Sequence, residues 1–259
     1  MLMMELRAEI LQGRLLEFFN AAAYCGNKIE LRMDKGGIGF SQVCVDDRGL
    51  GVMDLFSEDF NEYVFISRSG ECSVCLSIHP ILTALSMVGD DDYVTLKINR
   101  HGLWLKSEHM KHSMNLEEDI LSRTNHLPSD YVAQVELGIN QLRELLSGIR
   151  LDDKADNVSF ITTPFITKQQ VFLISYGEIG GHFLTEVETG FKVLSMGAGV
   201  STKSRYDIND LLHFLEAFPD HDAIIYLGKK DYPLLIEVLL GTGVLKYYLS
   251  PTIKEEKNV

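Results

Sequence analysis

The chain has 259 residues, of which 46% are hydrophobic and 24% charged, the balance of a folded globular protein rather than a disordered one. Lys and Arg number 24 and Asp and Glu 37, which gives a formal net charge of −13 at pH 7. This acidity excludes a protein that coats nucleic acid through its overall charge, although it leaves room for a local basic face. The length suits one large domain or two of about 130 residues each.

The start of the chain and its cysteines are typical of a soluble intracellular protein. Glu5 and Arg7 interrupt the apolar start, so we expect no signal peptide, and no apolar run approaches the roughly 20 residues that span a bilayer. Only Cys72 and Cys75 form a C-x-x-C pair, and the alternating sequence around them predicts a strand that points them to opposite faces. We therefore expect reduced structural cysteines, with a metal or redox pair as the alternative.

Four stretches of the chain share one plan: an amphipathic helix, a glycine or acidic turn, and a strand. The predicted helices cover residues 13–24, 79–88, 139–151 and 207–218, and the strands that follow them cover 28–33, 93–98, 157–161 and 223–227. Hairpin signals lie between these units, at 38–45 with 50–55 and at 171–175. Because the units start about 60 to 70 residues apart, each makes half a domain. The sequence therefore predicts an α+β fold of two similar domains, each with two β-α-β-rich units.

The middle of the chain has the character of a connector between these domains. Residues 115–130 show no sustained periodicity and contain Pro128. We therefore predict an N-terminal domain at 1–114, a connector at 115–130 and a C-terminal domain at 131–259. In the third helix the apolar residues follow the i, i+3, i+4, i+7 pattern of a stripe that packs on a sheet, which leaves Arg143 and Arg150 pointing outward.

The motifs of known enzymes are missing or incomplete. The glycine-rich stretch 197–203 lacks the G-x-x-x-x-G-K-[S/T] spacing of a phosphate loop and indicates a flexible loop. His109 and His112 do not have H-E-x-x-H spacing, and the acidic groups at 46–47, 90–92 and 152–153 fall at turns, where Asp is favoured. We predict no enzyme activity, no cofactor and no metal. A small metal-dependent hydrolase that uses these acids or histidines is the alternative from another class.

The C-terminal run GVLKYYLSPTI at 243–253 resembles the ending of the proliferating cell nuclear antigen (PCNA) family, the DNA sliding clamps, which reads LKYYLAPKI. Weaker similarities follow in order at 8–13, 46–52, 89–96 and 231–234, so that the resemblance covers essentially the whole chain. It implies the DNA clamp fold, with sheets outside and four short helices lining the interior of a homotrimeric ring that encircles duplex DNA.

The same resemblance implies a nuclear processivity factor of DNA replication and repair, which tethers polymerases, the clamp loader, ligases and nucleases through short PIP-box peptides. Carried over by position, the peptide pocket would use Val45, Leu50, Leu127, Pro128, Pro233, Tyr248, Leu249 and Pro251. Tyr248 and Leu249 also suit an ordinary core strand. DNA-facing residues would be Arg14, Arg143, Arg150 and Lys154. Lys168 aligns with the lysine that the family modifies with ubiquitin or SUMO, and a plain surface lysine is the alternative there.

The predicted inward helices are less basic than those of the family. The first offers Arg14, but it also carries Glu17, and Phe18 and Tyr24 stand at positions that are basic in the family. The second and fourth helices contain no Lys or Arg. This scarcity puts the strength of DNA contact in doubt and motivates the runner-up function, a divergent clamp subunit of a hetero-oligomeric ring such as a checkpoint-type clamp.

Overall fold

The computed structural model describes residues 4–44, 47–117, 127–151, 155–163, 171–176, 183–187, 191–196 and 204–252. The chain divides into two compact units, unit 1 with residues 1–125 and 240–245, and unit 2 with residues 126–239 and 246–259. The division at a connector 115–130 stays a prediction, because residues 118–126 lie outside the described part of the chain.

Unit 1 contains nine strands and two helices among its described residues. Their bounds are β1 Met4–Leu11, α1 Gln12–Cys25, β2 Lys28–Asp34, β3 Gly37–Val43, β4 Gly49–Phe56, β5 Glu62–Ser67, β6 Glu71–Ser77, α2 Ile78–Leu85, β7 Tyr93–Asn99, β8 Gly102–Lys106 and β9 Lys111–Met114. A 3₁₀ turn, Ser57–Asp59, joins β4 to β5. One antiparallel sheet has the strand order β5-β1-β7-β8-β9, and a second runs β4-β3-β2-β6.

Unit 2 repeats the plan. Its elements are β10 Ala133–Gly138, α3 Ile139–Arg150, β11 Asn157–Thr163, β12 Val171–Tyr176, β13 Phe183–Val187, β14 Phe191–Met196, β15 Tyr206–Asp207, α4 Ile208–Glu216, β16 Asp222–Leu227, β17 Leu234–Leu240 and β18 Gly243–Leu249. The order β14-β10-β16-β17-β18 forms one sheet, and β13-β12-β11-β15 forms another. The turn end of the β17–β18 hairpin, residues 240–245, belongs to unit 1.

Helix α1 forms the centre of the unit 1 core. Phe18 and Phe19 are completely buried, and the Phe18 ring meets Phe40 of β3 edge to face at a centroid distance of 5.4 Å. Each buried phenylalanine contributes about 2 kcal/mol through the apolar surface it removes from water. The buried Gln12 side chain donates a 2.8 Å hydrogen bond to the carbonyl of Leu85, which fastens the start of α1 to the end of α2.

Helix α4 packs into the core of unit 2, and a neighbouring side chain fixes the residue at which it begins. The Asp207 carboxylate accepts hydrogen bonds from the amides of Asn209 at 2.8 Å and Asp210 at 3.4 Å, which satisfies donors that a helix N-terminus otherwise leaves unpaired. Farther along α4, Phe214 stacks on Tyr247 of β18 with a centroid distance of 4.1 Å and an interplanar angle of 8°. The cap and the stacked pair together fix where this helix begins and which face it buries.

The structure confirms the four predicted helix-and-strand units and the two-fold repeat of the α+β plan. Helix α2 is shorter than predicted, because the Met87 and Val88 amides bond to the carbonyls three residues back and tighten the last turn before Gly89. Cys72 and Cys75 lie on β6 three residues apart, so that they point to opposite faces as predicted, and none of the four cysteines forms a disulfide. No helix in the described ranges is long and apolar enough to cross a bilayer.

Candidate partner-binding and DNA-facing sites

The hairpin β3–β4 carries the unit 1 part of the predicted partner pocket. Leu50 is half-buried on β4 and pairs directly with Val43 of β3, whose side chain is 45% exposed. Because directly paired residues of a sheet share a face, the two side chains form one apolar patch. Sequence reasoning missed Val43, since the register that brings it opposite Leu50 is fixed by pairing between strands. Val45 lies outside the described residues.

Six predicted pocket residues belong to unit 2, and they differ in how much of their surface is exposed to solvent. Leu127 is 42% exposed, Pro128, Pro233 and Pro251 are half-buried, and Tyr248 and Leu249 are buried. Leu249 has no exposed surface, so it can only support a site from below. The three prolines and Leu127 are therefore the members of this set that offer apolar surface to a partner.

Successive side chains of strand β18 point to opposite faces of the sheet. Tyr247 faces α4, where it stacks on Phe214, and Leu249 faces the same way. Tyr248 points to the opposite face, where burial and, to a lesser degree, the negative charge of Glu237 raise the pKa of its hydroxyl. Leu249 is therefore a core residue, and Tyr248 is also buried, on the other side of the sheet; the place of Tyr248 in a partner pocket stays a prediction.

A cluster of tyrosines occupies this opposite side of unit 2. Tyr131 lies edge to face with Tyr226 at a centroid distance of 5.6 Å and with Tyr232 at 5.3 Å. The Tyr226 hydroxyl donates to Glu237 at 2.6 Å, and Glu237 also pairs with Lys246 at 3.3 Å. The cluster gives this surface the aromatic, partly polar character that is common in protein interfaces.

Burial makes these phenols hard to ionise. It raises the pKa of Tyr206 to about 12 against the weaker opposing effect of Ser204, and it raises the pKa of Tyr131, with neighbouring tyrosines adding to the effect. The pKa of Tyr226 is raised by burial and by its hydrogen bond to Glu237. All three hydroxyls are therefore neutral donors at physiological pH.

The Tyr131 hydroxyl has an unusual place in this cluster. It is buried and finds no hydrogen-bond partner among the described residues, whereas Tyr206 donates to the Tyr232 carbonyl at 2.8 Å and Tyr232 accepts from the Asp130 amide at 2.9 Å. An unpaired buried hydroxyl costs free energy, which a partner recovers only if its binding uncovers the hydroxyl. Sequence reasoning missed Tyr131. Its position directly after the predicted connector was the available signal.

The helices of unit 1 present little positive charge. The guanidinium of Arg14 lies 3.6 Å from the carboxylate of Asp59, so its charge is partly neutralised within the unit. Glu17, three residues later, turns its carboxylate to Gly241 and Thr242. Helix α2 contains no Lys or Arg. Phe18 is completely buried, so it does not take the place of a surface basic residue of the family.

The helices of unit 2 carry two basic residues on one stripe. Arg143 is half-buried and Arg150 is exposed at the end of α3, with exposed Ser147 between them. Their spacing of four and three residues keeps all three on the same helix face, with the two arginines about 10 Å apart. Helix α4 contributes exposed His213 and no Lys or Arg.

Several sequence predictions fall outside the described residues: Lys154, Lys168, the glycine-rich stretch 197–203, and the acids at 152–153 together with Asp46. Within the described ranges, no three His, Cys, Asp or Glu side chains lie close enough together to hold a metal ion. His112 lies on β9, and its Nε2 is buried without a partner among the described residues, whereas His109 lies outside the strands.

In sequence, the chain matches no protein-family model and no curated protein. In structure, it matches A. fulgidus PCNA bound to the C-terminal region of FEN-1, with a TM-score of 0.77 and 16% identity over 97% of this chain and 100% of that one. PCNA of Entamoeba histolytica gives a TM-score of 0.74 at 15% identity, over 96% and 99% of the two chains. PCNA of Thermococcus kodakaraensis gives 0.76 at 15% identity, over 95% and 100%. From end to end, the chain has the DNA clamp fold of PCNA.

Proposed function

We propose that the chain is a DNA sliding clamp, which encircles duplex DNA as a ring and tethers replication and repair proteins to it. The observation that carries this proposal is the fold match over 97% of the chain to a PCNA that holds a partner's C-terminal region. A ring holds DNA by topology, so it needs only weak contact with the phosphates. The acidic charge of −13 suits such a protein, because it discourages DNA from binding along the outer surface.

Client proteins would bind through short peptides on the tyrosine-rich face of unit 2. Leu127, Pro233 and Pro251 offer apolar surface in unit 2, and the buried Tyr131 hydroxyl, which has no partner among the described residues, would bond to a peptide once binding uncovers it. A short helical turn with aromatic anchors fits a surface of this character. The first client classes to test are polymerases, the clamp loader, ligases and nucleases, and the chain itself would have no enzyme activity.

Three copies of the chain would close the ring through strand edges. The five-stranded sheet of unit 1 ends at β9, and the four-stranded sheet of unit 2 ends at β13. Within the described residues, each of these strands pairs on one side only. Pairing β9 of one copy with β13 of the next uses different surfaces on the two copies, which is the contact that generates closed rings.

The solution mass and a threading assay test this proposal together. Light scattering should give three times the mass of one chain. The purified ring, once loaded on a nicked circular duplex, should stay on it and leave when the circle is cut to a linear molecule. A particle that leaves circular and linear DNA equally fast does not encircle DNA, which would overturn the proposal.

The scarcity of positive charge favours one second candidate, a subunit of a hetero-oligomeric ring such as a checkpoint-type clamp. Arg14 is paired with Asp59, and α2 and α4 contain no Lys or Arg, so three copies of this chain would present few free cations to DNA. A ring with different subunits can supply the missing charge. Light scattering that finds a monomer at every concentration, together with co-purification of other clamp-fold chains, would favour this candidate over the homotrimer.

A nuclear location and modification at Lys168 follow from the same proposal. Fluorescence microscopy of the tagged chain in its own cells, with foci expected during DNA synthesis, tests the location. Mass spectrometry of the chain purified after DNA damage tests the lysine, with Lys168→Arg as the matched control. Diffuse cytoplasmic fluorescence throughout the cell cycle would contradict the nuclear assignment.

A further inference from the structure

The sheet β6-β2-β3-β4 of unit 1 carries a trough that the clamp function does not use. Strand pairing aligns side chains of the four strands in rows across one face. One row consists of Glu71, Asp34, Gly37 and Phe56, in the order β6, β2, β3 and β4. Since directly paired residues share a face, the acidic side chains stand on one side of the glycine and the aromatic ring on the other.

The next row also has a glycine in β3, and it consists of Ser73, Arg32, Gly39 and Asp54 in the same strand order. Arg32 and Asp54 approach to 3.8 Å across Gly39. Gly37 therefore forms the floor of a depression that this ion pair closes at its Gly39 end, and the side chains of β2, β6 and β4 form its walls. The cavity between them has a volume of about 690 Å³, which lies within the range of ordinary ligand sites.

Close contacts require glycine at two positions of β3. A Cβ atom on Gly39 would lie 1.9 Å from the Asp54 Oδ1 atom, and one on Gly37 would lie 2.0 Å from the Leu55 carbonyl oxygen. Gly37 also has φ of 148°, a backbone conformation that residues with a Cβ rarely adopt. The packing of β3 against β4 thus requires glycine at both positions: the Asp54 carboxylate lies over Gly39, whereas only backbone atoms of β4 lie next to Gly37.

The end of the trough at the β2–β3 turn is held rigidly. The Asp34 Oδ1 atom accepts hydrogen bonds from the amides of Gly36 at 2.6 Å and Gly37 at 3.2 Å. The Tyr63 hydroxyl lies 2.6 Å from the carbonyl oxygens of both Asp34 and Gly37, between which it shares its single proton. A site that is ordered before binding loses less conformational entropy when a partner arrives.

The charge of the lining selects the kind of occupant. Four carboxylates line the trough, those of Glu30, Asp34, Asp54 and Glu71, against the single guanidinium of Arg32. This imbalance repels nucleic acid and attracts cations. Phe56 is 59% exposed beside the carboxylates, and the face of an aromatic ring also attracts a guanidinium or ammonium group.

We propose that this trough binds an extended basic segment of a partner protein, with an arginine or lysine side chain seated over Gly37 between Asp34 and Phe56. Because the Arg32–Asp54 ion pair occupies the Gly39 row, a single basic side chain of the segment enters the trough. All the lining residues belong to unit 1. The trough therefore shares no residue with the tyrosine-rich face of unit 2, and it stands independently of the clamp function.

The test uses the full chain and a fluorescein-labelled peptide, acetyl-Arg-Ala-Arg-Ala-Arg-amide, followed by fluorescence anisotropy. Glu71→Lys should weaken binding about tenfold, because it turns an attractive charge at the trough into a repulsive one. The control variant Glu108→Lys makes the same charge change at an exposed site in the β8–β9 turn and should leave the affinity within about twofold of the parent.

Two further variants separate shape from charge. Ser73→Tyr keeps the net charge but fills the trough from β6, and Phe56→Ala removes the exposed ring. We expect each to weaken binding about fivefold or more while circular dichroism shows the parent fold. If Glu71→Lys and Glu108→Lys weaken peptide binding equally, the peptide is attracted to the acidic surface as a whole. If Ser73→Tyr leaves the affinity unchanged, the peptide binds outside the trough. Either result would overturn the proposal.

Discussion

The carboxylate of Glu17 on α1 accepts a hydrogen bond from the hydroxyl of Thr242, with 2.8 Å between the two oxygens. The same carboxylate accepts the Thr242 amide at 3.0 Å and the Gly241 amide at 3.2 Å. Thr242 is almost completely buried, so these contacts satisfy polar groups that are shielded from water. An acidic residue on a helix that we predict to face DNA therefore has a structural role, which is to hold the turn between β17 and β18.

Glu17→Ala should lower the free energy of unfolding by about 2 kcal/mol, because it leaves the buried donors of Thr242 without an acceptor. Urea denaturation followed by circular dichroism measures the change. The control is Glu144→Ala, which removes an exposed glutamate from α3. Equal stability of Glu17→Ala and the parent would show that the three hydrogen bonds contribute nothing net.

Gly51→Ala should destabilise the chain by about 2 kcal/mol, because the new methyl group would lie 2.2 Å from the Cys25 Sγ atom at the end of α1. Cys25→Ala removes that sulfur. The double variant should therefore recover most of the loss, and a double-mutant cycle on the free energy of unfolding measures the coupling. Additive effects of the two substitutions would rule out this close packing.

Tyr131→Phe should weaken the binding of a client peptide without lowering the stability of the free chain. The hydroxyl is buried without a partner among the described residues, so its removal should leave the free chain as stable as the parent or slightly more so. Binding of a synthetic peptide from the C-terminal region of FEN-1 should weaken about fivefold, because a hydrogen bond to the peptide is lost. Titration calorimetry measures the affinity, and Tyr93→Phe, at an exposed position of β7, is the control. Unchanged affinity would show that this hydroxyl makes no contact with the peptide.

Arg143 and Arg150 should provide the main attraction to DNA. Replacing both with alanine should reduce the slope of log affinity against log salt by about 1.8, if each arginine contacts one phosphate of a duplex. The matched control replaces Arg7 and Lys97, which pair with Glu62 and Glu5 on the sheet of unit 1. If both double variants change the slope equally, long-range charge rather than contact through α3 governs DNA binding.

Stability should fall in strong alkali because of the buried tyrosines. The pKa of Tyr206 is raised in the folded chain to about 12 from 10.0, so the contribution of this group is complete below pH 10 and is lost as the pH rises toward 12. The free energy of unfolding should drop by about 1.4 kcal/mol per pH unit in this window for this tyrosine alone. Urea denaturation from about pH 9 to about pH 12 measures the drop, and Tyr206→Phe should make it shallower. An identical slope in that variant would contradict the assignment.

The helices and their following strands could be predicted from sequence because their signals are local. The apolar stripe of α3 and the Asp207 cap of α4 need only neighbouring residues. The candidate sites depend on pairing between distant residues, which has no local signal. Val43 meets Leu50 through the register of β3 and β4, the trough needs four strands in one order, and Glu17 reaches a turn 225 residues away.

Unit 1 is discontinuous, since residues 240–245 complete a unit that otherwise ends at residue 125. During synthesis, residues up to 242 must therefore leave the ribosome before Glu17 can meet Thr242. The first unit then leaves the exit tunnel with α1 lacking part of its packing, and a chain that stops before residue 240 would carry this defect permanently. Unit 1 would therefore reach its final form only after the β17–β18 hairpin has been synthesised, although most of its residues are made much earlier.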